Sequence, residues 1–198
     1  MTKCVLLLLL VLLPPAWGQD YLNKELSLMV GPSFGSTQAI DGTNITVNGG
    51  TGSSTTFGFA FQVMQQSAVT LWVEPFPVIT EQPGESTSTP GFNSADSLYF
   101  VPSVRLMVPV HPRISLFAAL GGGIGYFHNY TLAIPDSSRL NIDETYHGIF
   151  SGGGGVDFRV SKHFSLRIDA RDYITGRNLG GVAGRNHPLP MAGVAYRF

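Results

Sequence analysis

The most regularly spaced charged residues lie in one short stretch near the C-terminus. Arg167, Asp169 and Arg171 stand two positions apart, and apolar residues fill the positions between and before them. Because successive side chains of a β-strand point to opposite faces, this spacing puts all three charges on one face and the apolar side chains on the other. Charges of both signs on a buried face must compensate one another. The stretch therefore predicts an ion-paired interior.

The same alternation in other segments predicts which further charges share this interior. The predicted set has seven members: Glu74, Arg105, Asp157, Arg159, Arg167, Asp169 and Arg171. Arg197 is a further candidate, and Trp72 is predicted to point inward. Glu74 and Arg105 lie at similar depth when counted from their predicted turns, so we expect them to pair. Two interpretations stay open: pairs that only stabilise the interior, and pairs that rearrange to gate a slender ion path.

Residues suited to hydrolysis are present, but they do not form a recognisable site. Such a site needs a nucleophile beside a histidine and an acid. His163 and Ser165 are two positions apart, at the edge of a predicted short turn. A second group of possible acids and bases comprises His128, Asp143, Glu144 and His147. No matching nucleophile accompanies that group, so we predict that the protein is not an enzyme.

The N-terminus has the organisation of a secretory signal peptide. A basic start at Lys3 precedes an apolar run over 5–13, and small residues at Ala16 and Gly18 follow. The run is too short to span a bilayer as a helix, which needs about 20 apolar residues, so an uncleaved anchor is disfavoured. We predict a cleavable signal over 1–18 and one domain over 19–198. Cys4 lies in the signal, which leaves the domain without a thiol for metal binding or disulfide formation.

The composition fits a protein that faces an apolar medium. Charged residues make up 13% of the chain, hydrophobic residues 43%, and Gly numbers 24. The net charge of −1 gives no reason to expect a nucleic-acid partner. Aromatic residues near predicted strand ends fit the girdles of a membrane barrel: Phe57, Phe61, Tyr126, Phe150, Phe164, Tyr196 and Phe198.

Segments of about 10 residues with period-two alternation recur along the domain, as in strands that cross a membrane. There are eight: 25–35, 55–65, 68–80, 97–110, 114–128, 146–160, 164–176 and 188–198. Tight turns alternate with long polar links at 36–54, 81–96, 129–145 and 177–187. This arrangement predicts an all-β fold, an eight-stranded antiparallel up-and-down transmembrane β-barrel.

Two glycine tracts, 121–125 and 152–155, are interpreted as part of that barrel. They lack the Lys-Ser/Thr pair that follows a phosphate-binding loop, and neither opens a helix. In a narrow barrel, glycines let strands bend and leave room for large interior side chains. We therefore predict no cofactor and no metal site.

The C-terminal residues carry a resemblance to a known group of proteins. Val194, Tyr196 and Phe198 lie on one face and end in an aromatic carboxylate, which resembles the last strand of bacterial outer-membrane proteins that the assembly machinery recognises. The whole domain resembles the small outer-membrane β-barrel superfamily of OmpA membrane domains, OmpX-like and OmpW-like proteins. The resemblance implies a monomer in the cell outer membrane, with outer-membrane lipid, lipopolysaccharide and the assembly machinery as partners. We expect no peptidoglycan-binding domain of the kind found in full-length OmpA proteins.

The resemblance specifies location and fold rather than activity. We expect a structural or surface-interaction role without catalysis, in which the long loops make the contacts. One alternative is a narrow pore or a small-solute transport barrel, whose apolar crevice the predicted interior charges disfavour. Another is a lipid A-modifying barrel enzyme. His163-Phe164-Ser165 is similar to a His-x-Ser element of a lipid A deacylase family, but it adjoins a short periplasmic turn, the wrong end of the barrel for that substrate.

Overall fold

The computed structural model is built almost wholly of β-strands. It describes residues 23–34, 38–39, 46–48, 51–66, 69–82, 86–87, 97–127, 130–133, 139–142, 145–175 and 186–198, so the predicted signal peptide lies outside the described residues. The strands are β1 (Lys24–Phe34), β2 (Gln38–Ala39), β3 (Thr46–Asn48), β4 (Thr51–Gln66), β5 (Val69–Glu74), β6 (Val78–Gln82), β7 (Ser86–Thr87), β8 (Ser97–Phe100), β9 (Ser103–His111), β10 (Ile114–Phe127), β11 (Tyr130–Ala133), β12 (Arg139–Ile142), β13 (Thr145–Arg159), β14 (Phe164–Thr175) and β15 (Asn186–Arg197). Within these ranges, no helix is long and apolar enough to cross a bilayer.

Ten of the strands form one antiparallel sheet that closes on itself. Its order is β1-β15-β14-β13-β10-β8-β6-β4-β5-β9, and two further pairings join β1 to β4 and β10 to β9. β5 and β6 are two parts of one interrupted strand, and so are β8 and β9, since each pair lies between the same neighbours. Counted this way, the ring has eight strands, and β1 meets β15 on one side and β4 on the other. The predicted eight-stranded up-and-down fold is confirmed.

Proline explains where two strands are interrupted. Pro75 and Pro77 lie in the gap between β5 and β6, and Pro102 lies in the gap between β8 and β9. Proline has no backbone N–H to donate to a neighbouring strand, so the ladder breaks at these positions. The sequence had predicted single continuous strands over 68–80 and 97–110.

Some residues predicted to lie in long polar links are strand instead. β2, β3 and β7 form a three-stranded sheet, and β11 pairs with β12 as a hairpin. β4 begins at Thr51 rather than at residue 55, and β6 continues to Gln82. The threonines and serines in these stretches tolerate strand geometry well enough to continue the pairing.

The two faces of the barrel differ in chemistry. Outward-facing side chains are large and apolar, as at Leu28 (51% exposed), Leu120 (62%) and Ile168 (54%). Inward-facing side chains are mostly buried and often polar. Alternation continued from Ala60 through Gln62 predicts that Met64 faces inward, but a β-bulge between Gln62 and Met64 shifts the register, and Met64 points outward. Such a bulge adds a residue to one strand only, which period-two counting cannot detect.

The interior is filled in two layers. The layer nearer the long links is an apolar cluster of Met29, Ile79, Tyr99, Val101, Phe127, Ile149, Tyr173, Leu189 and Met191. The layer nearer the short turns combines charged residues with Ala60, Trp72, Met107 and Phe117. Glycines make room for these side chains. A Cβ at Gly125 would lie 2.5 Å from Ile149 Cδ1, whereas one at Gly155 would first meet the backbone of Ile168 and then Phe117 Cζ at 2.6 Å.

Candidate functional site

The charged layer of the lumen is the most polar buried region of the described chain. Four acids and four arginines face one another there: Glu25, Glu74, Asp157, Asp169, Arg105, Arg167, Arg171 and Arg197. Each of the eight is buried. We call this set the lumen network. Its formal charges cancel, which is what a region shielded from water requires.

Glu25 is the centre of the lumen network. Its carboxylate accepts hydrogen bonds from Arg105 Nη2 at 2.7 Å, from Arg167 Nη1 and Nη2 at 2.7 and 2.9 Å, and from Arg197 Nε at 3.0 Å. These donors belong to β9, β14 and β15, whereas Glu25 belongs to β1. One side chain on the first strand therefore ties together strands from both sides of the barrel.

A second acid shares two of these arginines. Asp157 Oδ2 accepts hydrogen bonds from Arg167 Nη2 at 2.6 Å and from Arg197 Nη2 at 3.2 Å. Arg167 therefore contacts Glu25 and Asp157 at once, and its planar guanidinium, which carries several N–H donors, suits such bridging.

The remaining part of the lumen network is built around Glu74. Ser103 Oγ donates to Glu74 Oε2 at 2.6 Å, and Arg171 Nη1 donates to the same oxygen at 2.8 Å. Arg105 Nη1 lies 3.1 Å from Glu74 Oε1, so the structure brings together the pair that the sequence predicts. Arg171 Nη2 also lies 2.8 Å from Asp169 Oδ2. Arg105 thus links the two acids, Glu25 and Glu74.

Aromatic rings separate and cover the arginines. Arg105 lies between Trp72 and Phe117, with its guanidinium carbon 5.5 and 5.6 Å from the two ring centroids. Arg197 lies 5.4 Å from Trp72, and Arg167 lies 5.5 Å from Phe117. Cation–π contacts of this kind stabilise a desolvated cation, and the rings keep like charges apart. Trp72 is 2% exposed, so its predicted inward orientation holds.

The sequence prediction of the network differs from the structure at three residues. Arg159 is exposed and lies outside the network. It is the last residue of β13, where the strand leaves the barrel, and its backbone N–H donates to Arg113 O at 2.8 Å. Glu25 was missed, although its alternation with Leu26, Leu28 and Val30 is a usable signal. Arg197 was only a further candidate and is a full member.

A smaller polar group lies in the lumen close to the long links, and the sequence did not predict it. The Tyr99 hydroxyl donates a short hydrogen bond to Glu81. His187 Nδ1 lies 3.0 Å from Glu81 Oε2 and 3.3 Å from the Tyr99 hydroxyl. Glu81 and His187 fall within predicted links, so period-two counting had assigned them no face.

The residues considered for hydrolysis do not meet. His163 Nδ1 lies 2.9 Å from Arg197 O, whereas Ser165 is buried inside the lumen. His128, Asp143 and Glu144 lie outside the described residues. Across the described strands and turns, no hydrogen bond joins a serine hydroxyl to an imidazole ring, and no group of three His, Cys, Asp or Glu side chains could hold a metal.

Free space beside the lumen network is small. A cavity next to Glu74 and Arg171, lined also by Ser27 and Thr56, has a volume of about 10 Å³. That is room for roughly one water molecule.

The residues of the predicted assembly signal lie on the outer surface of the barrel, where Val194, Tyr196 and Phe198 are each at least 40% exposed.

Comparison with known proteins identifies the fold and leaves the activity open. No protein-family model matches the sequence, and no curated protein matches it. Neisserial surface protein A is 11% identical, with a TM-score of 0.61 over 90% of this chain and 98% of its own. The Escherichia coli outer membrane protease OmpT is 8% identical, with a TM-score of 0.52, and the match covers 93% of this chain and 99% of OmpT. The attachment invasion locus protein Ail of Yersinia pestis is 17% identical, with a TM-score of 0.49 over 89% and 99%. The chain has the fold of the small outer-membrane β-barrels.

Proposed function

We propose that the protein is an integral β-barrel of a bacterial outer membrane, with a structural or surface-contact role and no catalytic activity. The observation that carries this proposal is the contrast between the two faces of a closed eight-stranded sheet. The outside is apolar, and the inside is filled by a charge-neutral network and an apolar layer. The predicted partners are outer-membrane lipid and lipopolysaccharide, with the assembly machinery acting during insertion.

The outer surface supports a membrane location. Exposed valine, leucine, isoleucine or phenylalanine side chains lie on each of the eight strands of the ring. A monomeric soluble protein rarely exposes contiguous apolar patches larger than a few hundred Å². A closed barrel also pairs all of its backbone groups within the sheet, which is the condition for crossing a bilayer with strands.

The filled lumen supports a role other than free diffusion. Arg105, Arg167 and Arg197 converge on Glu25 across the barrel, and aromatic rings fill the space between them. An open pore needs a continuous water path, and eight-stranded barrels are generally just wide enough to be filled by side chains. Solute or ion transport is therefore the weaker candidate.

The proposal of no catalysis rests on the separation of His163 from Ser165 and on the burial of the remaining polar groups. A working site needs a nucleophile, a base and substrate access at one place. The surface-contact part of the role falls to the long links, because loops on a rigid scaffold commonly carry binding.

Membrane fractionation, gel migration and single-channel recording together test the proposal. We expect the protein in the outer-membrane fraction, with faster migration before heating than after it, and no steady single-channel current in a planar bilayer. A soluble or helical product would overturn the membrane assignment. A steady conductance of the wild-type barrel would favour transport, and an altered acyl pattern of lipid A on overexpression would favour an enzyme.

A further inference from the structure

The short-turn end of the barrel carries a group of exposed basic side chains. At the short-turn end, three exposed cations, Arg113, Arg159 and Lys162, form what we call the basic rim. In the described part of the chain, none of the three forms an ion pair with a carboxylate. The connecting segments at the opposite end, 35–50, 83–96, 128–144 and 176–185, contain six acids and three arginines.

Lys24 also lies at the short-turn end, but we do not count it in the basic rim. Its backbone N–H donates to Phe198 O at 3.1 Å, and the Phe198 N–H donates to Lys24 O at 3.0 Å. These bonds tie Lys24 to the last strand of the sheet, and Lys24 is only partly exposed, unlike the three members of the basic rim.

Backbone contacts hold the basic rim in place. The hydrogen bond from Arg159 N to Arg113 O joins two neighbouring turns at 2.8 Å. In the turn that carries Lys162, Ser161 N donates to Phe164 O at 3.0 Å, and Ser161 Oγ accepts from Phe164 N at 3.0 Å. Because the backbone is already ordered, binding of a ligand at the basic rim costs less ordering entropy than it would at a free loop.

The basic rim adjoins a belt of aromatic rings on the outer surface. Phe164 and Tyr196 lie 5.0 Å apart between ring centroids, and Tyr196 and Phe198 lie 5.9 Å apart. All three are at least 40% exposed. Girdles of aromatic residues flank the apolar band of membrane β-barrels at both interfaces, so this belt marks the level of the lipid headgroups. The basic rim therefore lies where lipid phosphates are found.

We propose that the basic rim binds the phosphate group of anionic phospholipids in the leaflet that surrounds the short turns. The inference rests on the proposed membrane location. Anionic lipids attract each Lys or Arg near the surface, and arginine can donate two parallel hydrogen bonds to one phosphate. Lipopolysaccharide, the other phosphate-bearing lipid, is a poorer match because the segments at the opposite end carry more acids than bases.

Lipid titration followed by native mass spectrometry tests this inference. The barrel is isolated from membranes in a nonionic detergent and mixed with phosphatidylglycerol or phosphatidylethanolamine of matched acyl chains. We expect the barrel to bind phosphatidylglycerol roughly tenfold or more tightly than phosphatidylethanolamine. Raising the ionic strength from about 0.1 M to about 1 M shortens the Debye length from roughly 10 to 3 Å and should remove most of the preference.

A matched pair of variants locates the binding site. The triple variant Arg113→Gln, Arg159→Gln, Lys162→Gln should lose the preference, whereas Arg139→Gln, Arg177→Gln, Arg185→Gln changes the net charge equally and should keep it. The inference is overturned if the wild type shows no preference, if both variants lose it, or if lipopolysaccharide is retained more tightly than phosphatidylglycerol. Heat-modifiable migration of each sample is measured in parallel, so that failure to form a membrane barrel is distinguished from failure to select the lipid. The salt dependence of the wild type tests the inference if the rim variant does not fold.

Discussion

Glu25 pairs with three of the four arginines of the lumen network, so we expect its charge to contribute more to stability than its size does. Its carboxylate lies within 3.0 Å of nitrogens of Arg105, Arg167 and Arg197. Replacing it with glutamine keeps the shape but leaves the cations with Asp157 and Glu74 alone. Removing one partner from a buried ion pair typically costs about 3–5 kcal/mol. We expect Glu25→Gln to lower the free energy of unfolding by that order, measured by urea denaturation of the barrel in detergent.

Arg159→Gln is the control for that experiment. Arg159 is also charged, but it is exposed and outside the lumen network. Surface substitutions away from specific contacts usually change stability by no more than about 0.5 kcal/mol. Equal stability of the Glu25→Gln variant and the wild type would contradict the central place given to this carboxylate.

The sequence predicted most lumen charges because alternation fixes a face wherever a strand continues on both sides of a residue. Arg105, Arg167 and Arg171 are of this kind. Arg159 is not: the last residue of a strand has the right parity, but the barrel wall no longer encloses it. Which acid contacts which arginine could not be predicted, because that depends on the register between strands and on how side chains cross the lumen.

At the scale of the strand, Gly125 on β10 sets how closely two large interior side chains pack. A Cβ at Gly125 would lie 2.5 Å from Ile149 Cδ1 and 2.8 Å from Phe127 Cε2. We expect Gly125→Ala to destabilise the barrel by about 1–3 kcal/mol, the usual range for overpacking a filled interior. The midpoint of thermal unfolding in detergent would report the change.

Gly148 offers a matched control on the neighbouring strand. It pairs next to Gly125 in the ladder, and a Cβ there would meet nothing within 4 Å. Gly148→Ala should leave stability unchanged or raise it slightly, since alanine loses less backbone entropy than glycine on folding. Adding Ile149→Val to Gly125→Ala should recover part of the loss, because it removes the atom in closest contact. If Ile149→Val recovers no stability and Gly148→Ala also lowers stability, the glycines act through backbone freedom instead of through side-chain packing.

The strands themselves were largely predictable, because alternation over about 10 residues has no common alternative explanation. Their interruptions were not. Pro75, Pro77 and Pro102 were visible in the sequence, but a proline at a strand edge and one at a strand break look alike without knowledge of the neighbouring strand. The bulge near Met64 could not be predicted either, because an inserted residue reverses the face of the later residues in its strand without changing the composition.

At the scale of the whole molecule, two successive layers of side chains fill the barrel along its axis. The lumen network fills the section near the short turns, and the apolar cluster that contains Tyr99, Phe127 and Tyr173 fills the section near the long links. The two sections resist ions for different reasons. In the first, an ion would have to disrupt existing ion pairs. In the second, apolar side chains outnumber the polar group of Glu81, Tyr99 and His187 and offer little to replace the water shell of an ion.

Because the lumen network and the apolar cluster both fill the lumen, a prediction about gating follows. Arg105→Ala and Glu74→Ala each remove part of the lumen network but leave the apolar cluster intact. If the network has a structural role only, neither variant should conduct in a planar bilayer, although both should unfold at lower urea concentrations than the wild type. A discrete conductance that appears in either variant would instead show that the charged layer alone controls passage, and the lumen network would then be a gate. If the variants and the wild type unfold at the same urea concentration, the 3.1 Å contact between Arg105 and Glu74 does not stabilise the barrel.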